Sequence, residues 1–240
     1  MLLELEKVVK SFGGLMVLSQ IDFHIDEGEI IGLIGPNGAG KTTLFNVITG
    51  IYRPEEGAIR YKGRDLVGLK PYQICRQGIA RTFQLVRIFP SMTVLENVMV
   101  GSIYGNRCNK KQGKKEALRC LEILNLMDIK DTVTGHLTLS NRRLVEIARA
   151  MAANPGLALL DEPLAGLNPT ETEKIMVLMR EIRESHGISI LWIEHKIDAV
   201  FDLCDRIVVI EYGRKLADGD PDSIANNKKV MEAYLGESPT

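Results

Sequence analysis

The sequence predicts an α/β fold with a mostly parallel sheet, helices around it, an antiparallel β portion at the N-terminus and an inserted helical segment. Three observations predict it. Leu157-Ala-Leu-Leu160, Ile188 to Ile193 and Ile207-Val-Val-Ile210 are short apolar runs without alternation, as strands buried on both faces require. The first 30 residues alternate and turn instead. From about Leu85 to Ala152 the chain carries helical spacing and no buried strand run.

The elements follow in order. In Ile21-Asp-Phe-His-Ile25, Ile21, Phe23 and Ile25 share one face and Asp22 and His24 the other, so His24 reads as a solvated strand residue. Ser11-Phe-Gly-Gly14 is a turn. Gly57 to Tyr61, then Lys62-Gly-Arg-Asp65, adds a strand and turn to a small antiparallel sheet. Asn106 to Lys115 is basic and reads as a solvated loop. Lys114 to Met127 places Ala117, Leu118, Leu121 and Leu124 at helical spacing, with Cys120 beside the stripe as a core residue. Thr170 to Ser185 is a helix with Ile175, Leu178, Met179 and Ile182 on one side. Pro169 suits its start. The expected division is a core of residues 1–84 and 153–240 and a helical subdomain of residues 85–152.

Between the apolar run Glu29 to Ile34 and the helix-like stretch Leu44 to Gly50 stands Gly35-Pro36-Asn37-Gly38-Ala39-Gly40-Lys41-Thr42-Thr43. This is the pattern of a phosphate loop. Its glycines let the backbone wrap a polyphosphate and aim N–H groups inward. The following helix presents its N-terminus to the anion. Lys41 supplies charge to the β- and γ-phosphates, and Thr42 a hydroxyl ligand for Mg²⁺. The core is therefore expected to be a phosphate-loop NTPase. Leu157 to Leu160 ends in Asp161 and Glu162. Asp161 is placed to hold Mg²⁺ through water, and Glu162, one residue on, to polarise a water aimed at the γ-phosphate.

Composition narrows the class. A 240-residue chain with 45% hydrophobic residues can bury a substantial core. A net charge of −1 gives no bulk attraction to nucleic acid, so none is expected as a partner. Cys75, Cys108, Cys120 and Cys204 are scattered, as in a reduced cytosolic chain. Met1-Leu-Leu-Glu-Leu-Glu-Lys puts charges where a signal peptide needs an apolar stretch. No apolar run reaches membrane-span length, so any membrane link is expected through a partner.

Together these motifs resemble the ATP-binding subunit of an ABC transporter over essentially the whole chain. Gly35 to Thr43 matches Walker A and Leu157 to Glu162 matches Walker B. Gln84, in Arg81-Thr-Phe-Gln84, matches the Q-loop glutamine, and His195 the switch histidine. Ala165-Gly-Leu-Asn168 occupies the D-loop. Phe12 falls where an aromatic commonly stacks on adenine, core packing being the alternative. The resemblance implies that Gln84 touches Mg²⁺ or water and reports on the γ-phosphate, and that His195 donates to a γ-phosphate oxygen.

One motif departs from the family. Its L-S-G-G-Q signature, set just before a helix, aligns with Leu137-Thr-Leu-Ser-Asn141, anchored by Glu146-Ile-Ala-Arg-Ala150. In the family this signature completes the ATP site of the opposite subunit. Thr138 preserves a hydroxyl, Ser140 a backbone N–H, and Asn141 replaces glutamine, whereas Leu139 adds bulk. A working but slow site is expected, or a half-site rescued by a different ATPase subunit.

Gly78 to Gln84, Phe89-Pro-Ser-Met-Thr-Val-Leu-Glu-Asn97, Ala165 to Pro169 and the tail Val230 to Glu237 resemble ATPases of branched-chain amino-acid importers, the longer member of the usual pair. That implies ATP and Mg²⁺ as cofactors and a place on the cytoplasmic face of the cell membrane. It also implies two membrane-spanning permease subunits, a second ATPase copy or sister, and an extracytoplasmic amino-acid-binding protein. The groove near Phe83, Val86, Phe89 and Met92 would take a permease helix or be ordinary packing. The alternatives are a urea or amide importer, a lipopolysaccharide-type exporter, or a soluble ABC ATPase outside transport.

Overall fold

The computed structural model describes residues 1–235. They fall into two compact units, Met1–Ile74 with the chain from Ser189 onward, and Cys75–Ile188.

The chain opens in the first unit with β1 (Leu3–Phe12) and β2 (Leu15–Ile25). They form a hairpin around Gly13 and Gly14, with Leu3 opposite Ile25 and Leu5 opposite Phe23. Ile21, Phe23 and Ile25 are buried, as the alternation predicts. The His24 side chain is 43% exposed, so it is the solvated strand residue expected. After β3 (Ile30–Ile34) and α1 (Lys41–Ile48) come β4 (Glu56–Tyr61) and β5 (Arg64–Asp65). The antiparallel sheet has the order β2-β1-β4-β5.

Helix α2 (Pro71–Gln77) leads into the second unit, where β6 (Ile79–Arg81) is followed by α3 (Val94–Asn106), α4 (Lys110–Ile123) and α5 (Leu139–Met151). Then come β7 (Leu157–Asp161), parallel to β6, and α6 (Pro169–His186). Side chains set these starts. Thr93 with Glu96, Asn109 with Gln112, and Asn168 with Glu171 each form a reciprocal capping box. The pair at Asn109 corrects the expected loop at Asn106 to Lys115. Most of that stretch is the first turns of α4, because capping outweighs its basic, Gly-containing composition. Ala117, Cys120 and Leu121 are buried on this helix, as is Leu124 just after it, whereas Leu118 is half-buried. On α6, Ile175, Leu178, Met179 and Ile182 are buried as predicted.

Returning to the first unit, the chain adds β8 (Ser189–Ile193), α7 (Ile197–Leu203), β9 (Arg206–Glu211), β10 (Arg214–Gly219), α8 (Pro221–Ala225) and α9 (Lys228–Leu235). β3 pairs in parallel with β8 on one side and β9 on the other. Every residue of β3, β7 and β8 is buried, which is why these runs do not alternate. Each buried Leu or Ile contributes about 1.5–3 kcal/mol. Trp192, fully buried, donates its indole N–H to Cys204 Sγ at 2.9 Å. Burial pushes the Cys204 thiol up to about 12. Arg206 ties the start of β9 to Glu29 just before β3, at 2.8 Å. Of the tail motif, Gly236 and Glu237 lie outside the described residues.

Candidate nucleotide site

In the first unit, β3 delivers the chain into the loop Gly35–Gly40, and α1 begins at Lys41. Gly35 has φ 153°, and a Cβ there would lie 2.0 Å from the Ile210 carbonyl oxygen, so no side chain fits. Gly40 caps α1 in a left-handed conformation without a side-chain hydrogen bond. The helix therefore starts with N–H groups that helix geometry leaves without intrahelical acceptors. Asn37, Gly38 and Thr42 are exposed, while Ala39 and Lys41 are buried. The Lys41 ammonium folds over the loop, donating to the carbonyls of Gly35 at 2.6 Å and Pro36 at 3.0 Å. A cation is thus held by two carbonyls of the loop, where a polyphosphate would need it.

Phe12 is 41% exposed, which removes the core-packing alternative. Its ring meets Tyr52 edge-on at 5.0 Å, and the Lys10 ammonium stands 5.1 Å from its centroid. His195 lies two residues beyond β8 and is exposed, and its backbone N–H donates to the buried Glu194 carboxylate at 2.7 Å.

In the second unit, Asp161 closes β7 and is 1% exposed. Its Oδ2 accepts from Arg81 Nη2 at 2.9 Å, and its backbone N–H donates to Thr82 Oγ1 at 3.2 Å. Burial pushes its carboxyl above the usual carboxylate range, with Arg81 opposing. Asp161 Oδ1 is buried without a hydrogen-bond partner. A buried, unsatisfied carboxylate oxygen fits a hard cation or its water. Glu162, the next residue, is left-handed at φ 50°. Its Oε1 accepts from Gln84 Nε2 at 2.9 Å. The two residues assigned separately from sequence, base and sensor, are hydrogen-bonded to each other. Both line an open groove of about 760 Å³, together with Leu139, Arg142 and Gly166.

The signature region is corrected in one respect: the helix begins inside it. Thr138 is the N-cap, its Oγ1 accepting from Asn141 N at 3.3 Å, and Leu139, Ser140 and Asn141 are the first turn of α5. Threonine is a favoured N-cap, and Leu139, Ser140 and Asn141 each disfavour a helix less than glycine would. Thr138 still has its hydroxyl proton to donate. Leu139 is 45% exposed and occupies the space over Gly166, where an added Cβ would meet Leu139 Cδ2 at 3.0 Å. Asn168 serves as the N-cap of α6.

The stretch Phe89 to Asn97 also acquires a structural meaning. Fully buried Asn97 accepts from Phe89 N at 2.8 Å and donates to Phe89 O at 3.0 Å. Phe89 itself is 46% exposed.

Sequence reading missed three groups: Arg81, Arg143 and Glu146. Glu146 is 1% exposed, and its Oε1 accepts from Arg87 N at 3.1 Å. The signal was available, since Arg143 and Glu146 share the face of α5 that also carries Ala150. A charge pair inside an apolar stripe implies a specific partner.

Comparison with known proteins bears on this geometry. The family model described as "ABC transporter" matches residues 18–165, and that described as "Branched-chain amino acid ATP-binding cassette transporter" matches residues 214–239. The chain belongs to the ABC transporter ATP-binding family. Within it, the chain is 39% identical to the high-affinity branched-chain amino acid transport ATP-binding protein BraF of Pseudomonas aeruginosa. It is 41% identical to the corresponding LivG of Escherichia coli strain K12. Both alignments cover 99% of this chain and 98% of the relative. A nucleotide-free ATP-binding cassette from an ABC transporter superposes with a TM-score of 0.89 at 32% identity, covering 98% of this chain and 99% of that one.

Proposed function

We propose that this chain hydrolyses ATP to power import of leucine, isoleucine and valine through a membrane ABC transporter. The observation that carries the catalytic part is the 2.9 Å bond from the Gln84 amide to the Glu162 carboxylate. The cargo rests on the match at residues 214–239 and on the printed functions of the relatives.

Lys41 and the N–H groups of Gly38 to Thr43 hold the β- and γ-phosphates, and Phe12 stacks on adenine. The exposed Phe12 ring and the uncapped start of α1 support both roles. Glu162 takes a proton from the attacking water. Gln84 donates to one of its oxygens and orients the carboxylate, and displacement of Gln84 releases that hold. His195 donates to the γ-phosphate oxygen as its charge grows. Thr42, Gln84 and, through water, Asp161 would hold Mg²⁺, which when bound would neutralise phosphate charge. The orphaned Asp161 Oδ1 supports that donor set.

Thr138, Ser140 and Asn141 contact the nucleotide of a second ATPase subunit, itself or a sister. Residues 85–152 act as the helical subdomain, and exposed Phe89 helps form the permease-helix groove. In the working complex this chain sits on the cytoplasmic face of the membrane beneath two membrane-spanning permease subunits, and cargo comes from an extracytoplasmic binding protein. No helix among the described residues is long and apolar enough to cross a membrane. The test is ATP turnover by Glu162→Gln. Retained nucleotide binding with turnover lost is the expected result, and wild-type turnover would move the base elsewhere.

A further inference from the structure

Two buried side chains of α5 grip the loop that carries Gln84. Arg143 is 6% exposed and Glu146 1%. Arg143 Nη1 donates to the Phe83 carbonyl at 3.2 Å. Glu146 Oε1 accepts from Phe83 N at 3.4 Å and from Arg87 N at 3.1 Å. Gln84 therefore sits between two amides tied to one carboxylate. The Phe83 ring is held in turn by two guanidiniums, Arg81 at 5.0 Å and Arg87 at 4.6 Å. A leucine would fill the space of Glu146 without the cost of desolvating a charge, so packing alone does not explain a carboxylate there. Its acceptor satisfies loop N–H groups that would otherwise lose their partner.

The same helix begins with the turn Thr138–Asn141, two helical turns before Glu146. A short helix moves as a rigid piece. We infer that Glu146, with Arg143, is a positioning residue that locks the Gln84 loop to the turn at Thr138–Asn141. Displacement of Gln84 is thereby carried to the turn that meets the opposite subunit's nucleotide. This rests on the roles assigned above to Gln84 and to that turn.

The test is hydrogen exchange on the full-length chain carrying Glu162→Gln, with and without Mg-ATP. In this parent, ATP changes exchange at 83–88 and at 138–143 together. Adding Glu146→Ala speeds exchange at 83–88 by about tenfold or more before ATP is added and abolishes the ATP response at 138–143. Glu146→Gln keeps an acceptor oxygen and restores both, which a purely structural carboxylate would not require. If the alanine variant does not fold, Glu146→Leu removes the acceptor while keeping volume. Protection of residues 157–161 stays unchanged in every folded variant. No ATP response at 138–143 in the parent, or one that survives loss of the acceptor, overturns the inference. Gln84→Ala separates the two layers. If the response at 138–143 survives Gln84→Ala but not Glu146→Ala, the clamp stands and Gln84 is not the sensor.

Discussion

Glu162 holds a left-handed conformation and accepts a hydrogen bond from Gln84. Both features aim its carboxylate instead of leaving it a mobile surface acid. Glu162→Gln preserves shape and removes basicity, so hydrolysis should fall by at least about a hundredfold while ATP still binds. An ATP-bound dimer should then accumulate in gel filtration, and a monomer peak under saturating ATP would count against it. Gly35 makes a different residue-scale prediction. A Cβ there would collide with the Ile210 carbonyl oxygen, so Gly35→Ala should cost roughly 1–3 kcal/mol in a urea melt and abolish nucleotide binding. An unchanged midpoint would mean that the loop relaxes freely.

Helices of this chain are specified by their starts. The capping boxes at Thr93, Asn109 and Asn168 each tie two side chains to backbone N–H groups. Asn109→Ala should cost about 1 kcal/mol, measurable as a lowered melting temperature with catalysis intact. Sequence patterning showed the buried strands because continuous apolar runs have few other homes. It missed the first turns of α4, because Lys110 to Lys115 is polar and only Asn109 and Gln112 mark the start. The phosphate loop, Asp161, Glu162 and Gln84 were legible because their chemistry requires fixed residue types at fixed spacings. The burial of Glu146 could be read from its face of α5, but its partners could not, since they are backbone N–H groups in another segment. Burial pushes the Glu146 carboxyl above its ordinary 4.5. The folded state then binds a proton more tightly than the unfolded state. Its contribution to stability is thus full below about pH 4.5 and is lost as pH rises through the folded value. Glu146→Gln should flatten that loss. Melts from pH 4 to 8 that show the same slope for both proteins would contradict the assignment.

At the scale of the whole molecule, the two compact units divide the motifs. Lys41, Thr42 and His195 belong to the first, and Gln84, Asp161, Glu162 and Thr138 to the second. The cargo assignment is carried by none of these catalytic residues. The 39–41% identity to branched-chain amino acid transport proteins extends over nearly the full chain. The match at residues 214–239 lies outside every catalytic motif, so it supplies separate support for the cargo. The most direct test is uptake of labelled leucine, isoleucine and valine in cells whose native gene carries Glu162→Gln, with urea and an unrelated sugar as controls. Selective loss of branched-chain uptake is the predicted result. Normal branched-chain uptake with loss of another solute would contradict the cargo, and no change in any uptake would contradict the transport role itself.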